Sequence, residues 1–218
     1  MTRRLRVEVL WTPVGADPHA RREAGWRLRD LLLARRLGVP QARLPAPVRS
    51  CEWCGGPHGR PRLPGGAVQF STSRAPDGQG GWVVAVAATD ARWWGRVPAI
   101  GLDLVGPCGD VPRPADVFSP RELESGPATG LAGVRRAFAR KESVLKAAGC
   151  GLAVPLSAVT VTGARGGSGE WVARLPRVPS LRGQDVAVGS CVGAVAVLGS
   201  RWGRRPRVAA EVRRHDLC

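Results

Sequence analysis

The chain has 218 residues, of which 33 are Lys or Arg and 17 are Asp or Glu, so its formal net charge is +16. This length can bury a substantial core and fits one large domain or two small ones. With 44% apolar and 23% charged residues, the composition excludes wholesale disorder. No apolar run reaches the roughly 18 residues of a membrane span, or has the form of a secretion signal. We therefore expect a cytoplasmic protein with reduced cysteines and no membrane partner.

The basic excess predicts an acidic partner, which the charge alone does not identify. Arginine supplies 31 of the 33 basic residues, a bias that a GC-rich genome would also produce. The two lysines, Lys141 and Lys146, depart from that bias and lie on either side of Glu142. This segment is therefore the first place to look for chemistry.

The predicted elements follow a similar order in each half of the chain. The first half has a strand at Arg4–Trp11, a helix at Ala20–Leu37, a loop-rich stretch at Pro40–Gly66, and strands at Ala67–Ser71 and Trp82–Ala88. The second half has a strand at Ala99–Val105, a short helix at Ser119–Glu124, a long helix at Leu131–Ala148, and strands at Ala158–Thr162, Glu170–Leu175 and Gly189–Leu198. This order predicts an α+β fold of two similar halves, 1–98 and 99–199, each a small sheet packed on a long helix. The basic segment 200–218 is predicted to be a flexible tail.

The long predicted helix carries both lysines and Glu142. Its predicted apolar stripe consists of Leu131, Val134, Phe138, Leu145 and Ala148. Glu142 lies about 40° from the centre of that stripe, where a carboxylate is costly unless a cation pairs with it. Lys146 follows four residues later on the same face, in the favourable order. A surface salt bridge of little energetic value is the alternative interpretation of this pair.

Five short segments between residues 59 and 152 carry the strongest motif signal. They are Gly59-Arg-Pro-Arg-Leu63, Phe70-Ser-Thr-Ser73, Gly101-Leu-Asp103, Phe118-Ser-Pro-Arg-Glu122 and Phe138-Ala-Arg-Lys-Glu-Ser-Val-Leu-Lys-Ala-Ala-Gly-Cys-Gly-Leu152. In this order they closely resemble the signature of the 4′-phosphopantetheinyl transferases of the surfactin-synthetase (Sfp) type. One such motif alone would be weak, whereas five in series are specific.

The resemblance implies an activity and a set of ligands. Enzymes of this family transfer the phosphopantetheine arm of coenzyme A to a serine of an apo acyl or peptidyl carrier protein, releasing 3′,5′-ADP. It further implies a monomer of two pseudo-symmetric halves, with coenzyme A and Mg²⁺, or Mn²⁺ as an alternative, in the cleft between them. The carrier would belong to a polyketide, nonribosomal-peptide or fatty-acid synthase. It would meet the segment between Gly106 and Leu131, through apolar groups such as Val111, Val117, Phe118 and Leu123.

The resemblance also assigns roles to individual residues. Asp103 and Glu142 would be the metal ligands, and Glu142 would activate the serine hydroxyl, directly or through a metal-held water. Lys146 would contact the diphosphate and the leaving phosphate, which suits a compact charge. Lys141 would have a structural role or contact the diphosphate. Asp103, Glu142 and Lys146 are thus the predicted catalytic residues.

Two positions depart from the family pattern. Val105 stands where many members have a second acid, which affects metal affinity and preference, since Mg²⁺ readily keeps waters in its shell. Ser73-Arg74-Ala75 stands where the family has Ser-His-Ser, and an Arg can bind the 3′-phosphate of coenzyme A as well as a His. The predicted cofactor-binding residues are Arg60, Ser73, Arg74, Lys141, Lys146, Arg22 and Arg29, with Arg21 as a further candidate.

Two other interpretations stay open from the sequence. Cys51, Cys54 and His58 have close spacing but supply three zinc ligands where a structural zinc needs four. A basic nucleic-acid-binding protein with this Cys/His knuckle is the main alternative, although the basic residues are spread along the chain and no binding motif is present. An inactive carrier-binding relative is disfavoured by Asp103, Glu142 and Lys146.

Overall fold

The computed structural model describes residues 4–51, 54–57, 59–92, 95–109, 112–124, 130–163, 169–199 and 207–217. Its helices are α1 (Pro18–Leu37), α2 (Pro114–Val117), α3 (Pro120–Glu124) and α4 (Leu131–Ala148). Its strands are β1 (Arg4–Val14), β2 (Val48–Arg49), β3 (Pro61–Arg62), β4 (Gln69–Pro76), β5 (Trp82–Thr89), β6 (Ile100–Val105), β7 (Thr160–Gly163), β8 (Glu170–Arg174), β9 (Leu181–Val188), β10 (Cys191–Leu198) and β11 (Arg207–Arg214). This mixture of helices and mainly antiparallel sheets confirms the predicted α+β class.

Two larger sheets organise the chain. The first has the strand order β11-β1-β5-β4, and the second has the order β6-β10-β9-β8-β7. Their paired strands are antiparallel except β1 and β11, which are parallel. The short strands β2 and β3 pair with each other. Among the described helices, none combines the length and apolar character needed to cross a membrane.

Strand β5 shows how the layers are stacked. Val83 and Ala85 belong to a core that includes residues of both sheets. Val84 and Val86 alternate with them and pack in a second cluster with Leu28 of α1. Because side chains of a strand point alternately to opposite faces, β5 is buried on both sides and its sequence is a nearly continuous apolar run. The two sheets therefore pack against each other, and α1 covers the outer face of the first.

Strand β9 lies in the middle of the second sheet and was absent from the predicted elements. It contains Gly183, and a Cβ built there would come within 2.1 Å of Trp171 Cζ2. The glycine therefore makes room for the Trp171 ring, which is 1% exposed. On the same strand, Asp185 accepts two hydrogen bonds from Arg140 of α4, at 2.7 and 2.6 Å. Glycine and charged residues are rare in strands, so the sequence pattern did not predict β9. In the fold, Gly183 packs against Trp171 and Asp185 pairs with Arg140.

Residues 207–214 form β11, so the prediction of a flexible tail is wrong for this segment. The strand pairs with β1 over eight residue pairs. Val208 is 3% exposed in the core between the sheets. The backbone N–H of Ala210 donates to Gln184 Oε1 of β9, at 2.8 Å. Local sequence is a poor guide here, because the partner strand is at the other end of the chain; residues 200–206 and Cys218 lie outside the described part.

We expect Val208→Ala to lower the free energy of unfolding by about 2 kcal/mol, because it removes buried methyl groups from a packed core. Urea unfolding followed by circular dichroism measures this change. Arg213→Ala is the matched control on the same strand, where the side chain is half-exposed and forms an ion pair with nearby Glu211. Equal stability of Val208→Ala and the wild type would show that β11 does not contribute to the core.

Candidate active site

Glycine 101 allows helix α4 to lie directly against strand β6. A Cβ built at Gly101 would come within 2.0 Å of the Ser143 carbonyl oxygen and 2.6 Å of the Ala147 nitrogen. Any side chain there would push the helix away from the sheet. The close approach brings Lys146 of α4 to Asp103, which lies two residues after the glycine on β6. The Gly-Leu-Asp motif thus has a physical basis in helix packing.

The Lys146 ammonium is held at the centre of a compact polar cluster. Its Nζ donates to Asp103 Oδ1 at 2.6 Å, to the Leu102 carbonyl at 3.0 Å and to Ser73 Oγ at 3.4 Å. Ser73 Oγ in turn donates to Asp103 Oδ1 at 3.1 Å and accepts from the Leu104 N–H at 3.1 Å. Strand β4, which carries Ser73, is thereby joined to β6 although the two strands belong to different sheets.

The two predicted metal ligands interact electrostatically. Burial raises the pKa of Asp103, against the opposing effects of Lys146 and of the hydrogen bond from Ser73. Burial also raises the pKa of Glu142, and the neighbouring Asp103 carboxylate raises it further, whereas Lys146 lowers it. The Asp103 and Glu142 carboxylates thus both interact electrostatically with Lys146 in partly desolvated surroundings. A second cation there would reduce the repulsion between the two carboxylates.

A cavity of about 710 Å³ opens beside this cluster. Asp103, Lys146, Ser73 and Arg74 line it from β6, α4 and β4. The remaining cationic side chains of its lining come from α1 and β2 and are Arg21, Arg22, Arg29 and Arg49. The structure therefore brings the predicted 3′-phosphate-binding arginines together with the predicted catalytic lysine and aspartate. Arg49 was not predicted, because it lies in the stretch 40–66 that the sequence predicts to be loop-rich, and it has no spacing relationship to the motifs.

Arg60 lies beside a second cavity of about 590 Å³, which also borders Lys146. Its Nη1 donates to the carbonyl of Ala147, in the last turn of α4, at 3.0 Å. Burial lowers the pKa of Arg60. The Gly-Arg-Pro loop is therefore fixed to the end of the helix that carries Glu142 and Lys146.

Lys141 faces away from the cleft. Its side chain is 1% exposed, and its Nζ donates to the Val117 carbonyl at 2.8 Å and to Glu122 Oε2 at 2.7 Å. This geometry supports the structural role and corrects the assignment of Lys141 to cofactor binding. The same Glu122 carboxylate accepts from the N–H of Ser119, whose Oγ accepts from the Glu122 N–H, so the two residues form a capping box.

Two apolar residues expected to meet a carrier are part of the core instead. Val117 is fully buried and Phe118 is 6% exposed, and both pack with Val134. Leu123 and Leu131 are exposed by 37% and 57%. Val111 lies outside the described residues. The expectation of partner contacts is therefore wrong for Val117 and Phe118.

Comparison with known protein families gives a match over part of the chain. Residues 99–182 match the 4′-phosphopantetheinyl transferase superfamily. The matched range includes β6, α4 and the capping box, and therefore Asp103, Glu142 and Lys146. A search of curated proteins found no match to the chain.

The carboxylates of the matched segment have the chemistry of a site for a hard divalent cation. Asp103 Oδ2 is buried and has no hydrogen-bond partner among the described residues. An oxygen in that situation costs free energy unless a ligand satisfies it. Carboxylate oxygens are the ligands that Mg²⁺ takes in phosphoryl-transfer sites. Asp103 and Glu142 are therefore two candidate ligands for a magnesium ion, although no three His, Cys, Asp or Glu side chains among the described residues are grouped to hold a metal.

The cysteines give no metal centre within the described part of the chain. Cys51, Cys54 and Cys150 line the second cavity. They are not part of any group of three His, Cys, Asp or Glu side chains placed to hold a metal among the described residues. His58, the third residue of the predicted knuckle, lies outside the described residues. The zinc interpretation therefore stays a prediction.

We expect the raised pKa of Glu142 to appear as a pH-dependent cost to stability in the metal-free protein. A carboxyl with a raised folded-state pKa binds its proton more tightly in the folded state, so stability falls as pH rises from the ordinary pKa to the raised one. In the absence of divalent metal, Glu142→Gln should therefore raise the melting temperature by a few degrees near pH 7.5.

The difference should shrink towards pH 4, because Glu142 then becomes protonated in the wild type as well. Differential scanning fluorimetry across pH in EDTA measures it. A Glu142→Gln variant that is less stable than the wild type at pH 7.5 would contradict the assigned electrostatics.

Proposed function

We propose that the protein transfers the 4′-phosphopantetheine group of coenzyme A to a serine hydroxyl of an acyl or peptidyl carrier protein, releasing 3′,5′-ADP. The observation that carries the proposal is the Asp103–Lys146 pair at an arginine-lined cavity, within the segment that matches the transferase superfamily. We place the nucleotide half of coenzyme A against α1 and β4, in residues 1–98. We place the reacting diphosphate against β6 and α4, in residues 99–199.

The charge of the cavity supports this ligand. Six cationic residues and one carboxylate line it. Coenzyme A brings a diphosphate and a 3′-phosphate, and arginines bind phosphates through paired hydrogen bonds. Arg74 takes the place of the family's histidine, and Arg22 and Arg29 approach from the facing helix.

Asp103 and Glu142 would hold Mg²⁺ in this proposal, with Mn²⁺ as an alternative. When bound, the metal supplies positive charge that stabilises the phosphate oxygens as the diphosphate bond breaks. The unpartnered Asp103 Oδ2 supports this assignment. Val105 leaves the protein with two carboxylates for this task, which predicts modest metal affinity.

The remaining steps belong to the chain's own side chains. Glu142 accepts the proton of the carrier serine hydroxyl as general base. The serine oxygen then bonds to the pantetheine-side phosphorus, and the bond between that phosphorus and the oxygen of 3′,5′-ADP breaks. Lys146, fixed by Asp103 and the Leu102 carbonyl, stabilises the negative charge that develops on the leaving phosphate. The hydrogen bonds of Ser73 hold the Lys146 and Asp103 side chains in their relative positions.

The test uses apo carrier domains from a fatty-acid, a polyketide and a nonribosomal-peptide synthase. Each is incubated with the protein, coenzyme A and Mg²⁺, and intact mass is measured. We expect at least one carrier to gain the mass of phosphopantetheine. The proposal fails if none is loaded while an established transferase loads all three. Steeply salt-dependent binding to DNA, without binding of coenzyme A, would instead favour the nucleic-acid interpretation.

A further inference from the structure

Trp26 is an unusual residue on the surface of helix α1. It is 51% exposed, whereas burying a tryptophan contributes strongly to stability. The helix already has a complete inner face, formed by buried residues such as Ala24, Leu28 and Leu32. Trp26 is therefore not needed for packing of the helix on its sheet.

The position of Trp26 points to a ligand. It lines the cationic cavity between Arg22, four residues before it, and Arg29, three residues after it. These spacings place the three side chains on neighbouring turns of one helix face. An aromatic plane between two guanidinium groups combines a stacking surface with phosphate-binding charge. Proteins bind nucleotides through this combination.

The neighbouring residues in the cavity lining leave the Trp26 ring accessible to a ligand. Arg21, the next cation of the cavity, lies over the Trp82 ring, at 4.0 Å from its centroid. Arg29 also pairs with Asp30 at 2.7 Å, which fixes its guanidinium on the helix surface. Gly25, beside Trp26 in the cavity lining, presents no side chain of its own. The cavity lining next to Trp26 therefore leaves space for a flat group to contact the indole ring.

We infer that Trp26 is the platform on which the adenine ring of the nucleotide half of coenzyme A stacks. The inference rests on the proposed function and goes beyond it, because it names a residue that distinguishes a nucleotide from any other bisphosphate. Trp26 acts in binding and specificity rather than in the chemical step. Its loss should weaken binding of the base without affecting contacts to the phosphates.

The experiment compares two probes by isothermal titration calorimetry: 3′,5′-ADP and the corresponding base-less ribose 3,5-bisphosphate. We expect Trp26→Ala to weaken 3′,5′-ADP binding by about 5- to 150-fold, the range for one base–aromatic stack. The affinity for the base-less probe should stay within about twofold of the wild type, whereas Trp26→Phe should keep most of the affinity for 3′,5′-ADP. Leu131→Ala is the matched control, since it removes an exposed apolar side chain outside the cavity.

Two results would overturn the inference alone: unchanged 3′,5′-ADP affinity in Trp26→Ala, or an equal loss for both probes. In either case wild-type carrier loading would still proceed and the proposed function would stand. If the wild type binds neither 3′,5′-ADP nor coenzyme A and loads no carrier, the proposed function fails and the inference fails with it.

Discussion

Replacing Glu142 by Gln is expected to lower the rate of carrier loading by at least about 100-fold while leaving the fold intact. The amide can neither accept the serine proton nor offer the charged oxygen that a divalent cation prefers. Because the metal-free variant should be more stable than the wild type at neutral pH, unfolding does not account for the loss. The rate is measured at saturating coenzyme A and Mg²⁺ by intact mass of the carrier.

A stability measurement in the same variant separates the metal role from a general structural effect. Mg²⁺ should raise the melting temperature of the wild type, and should have a smaller effect on Glu142→Gln and on Asp103→Asn. Glu211→Gln is the control, because its carboxylate is exposed on β11 and pairs with Arg213. Unchanged turnover in Glu142→Gln would exclude its assigned role.

Disrupting the Glu122–Lys141 pair should lower the free energy of unfolding more than Val208→Ala does. Glu122→Gln is expected to lower the free energy of unfolding by about 3–5 kcal/mol at pH 7, because it leaves a buried ammonium without its carboxylate. Lys141 is 1% exposed, and among the described residues its other hydrogen-bond acceptor is the backbone carbonyl of Val117. Chemical denaturation with urea measures the change.

The deficit of Glu122→Gln has a diagnostic pH dependence. Burial lowers the pKa of Lys141, and Glu122 opposes that effect, so the variant should lower the pKa further. A lysine with a lowered folded-state pKa loses its proton first in the folded state, so stability is regained as pH rises through that pKa. Arg113→Ala, which breaks an exposed pair with Asp116, should cost less than about 1 kcal/mol and serves as the control. A cost below that value in Glu122→Gln would contradict the structural role of the pair.

The sequence was a good guide to helix α4 and a partial guide to its packing. Its bounds, Leu131–Ala148, agree with the prediction, and Gly149 ends it in the left-handed conformation that favours glycine. The predicted apolar stripe was wrong at Leu131, which is exposed, because the final turns rather than the first are enclosed by the sheet and by the loops. Lys141 and Ser143 are buried there, which hydropathy could not indicate.

Most residues of the site could be predicted from the sequence, whereas their meeting in one cavity could not. The motifs identified Asp103, Glu142 and Lys146 because their spacing along the chain resembles that of a family. Arg49 and Trp26 have no such spacing, and they reach the cavity only because β2 and α1 are packed beside it. The net charge of +16 indicated an acidic ligand without locating it. Six of the basic side chains meet in one cavity, which gives part of that charge a definite place.

The central claim concerns one group transferred from coenzyme A to a carrier serine. The most direct measurement quantifies both products in one reaction, holo-carrier by intact mass and 3′,5′-ADP by chromatography. We expect the two to form in equal amounts, only with Mg²⁺ or Mn²⁺ present, and not with a carrier whose target serine is replaced by alanine. Release of 3′,5′-ADP without carrier loading, or no release from any carrier that an established transferase loads, would contradict the claim.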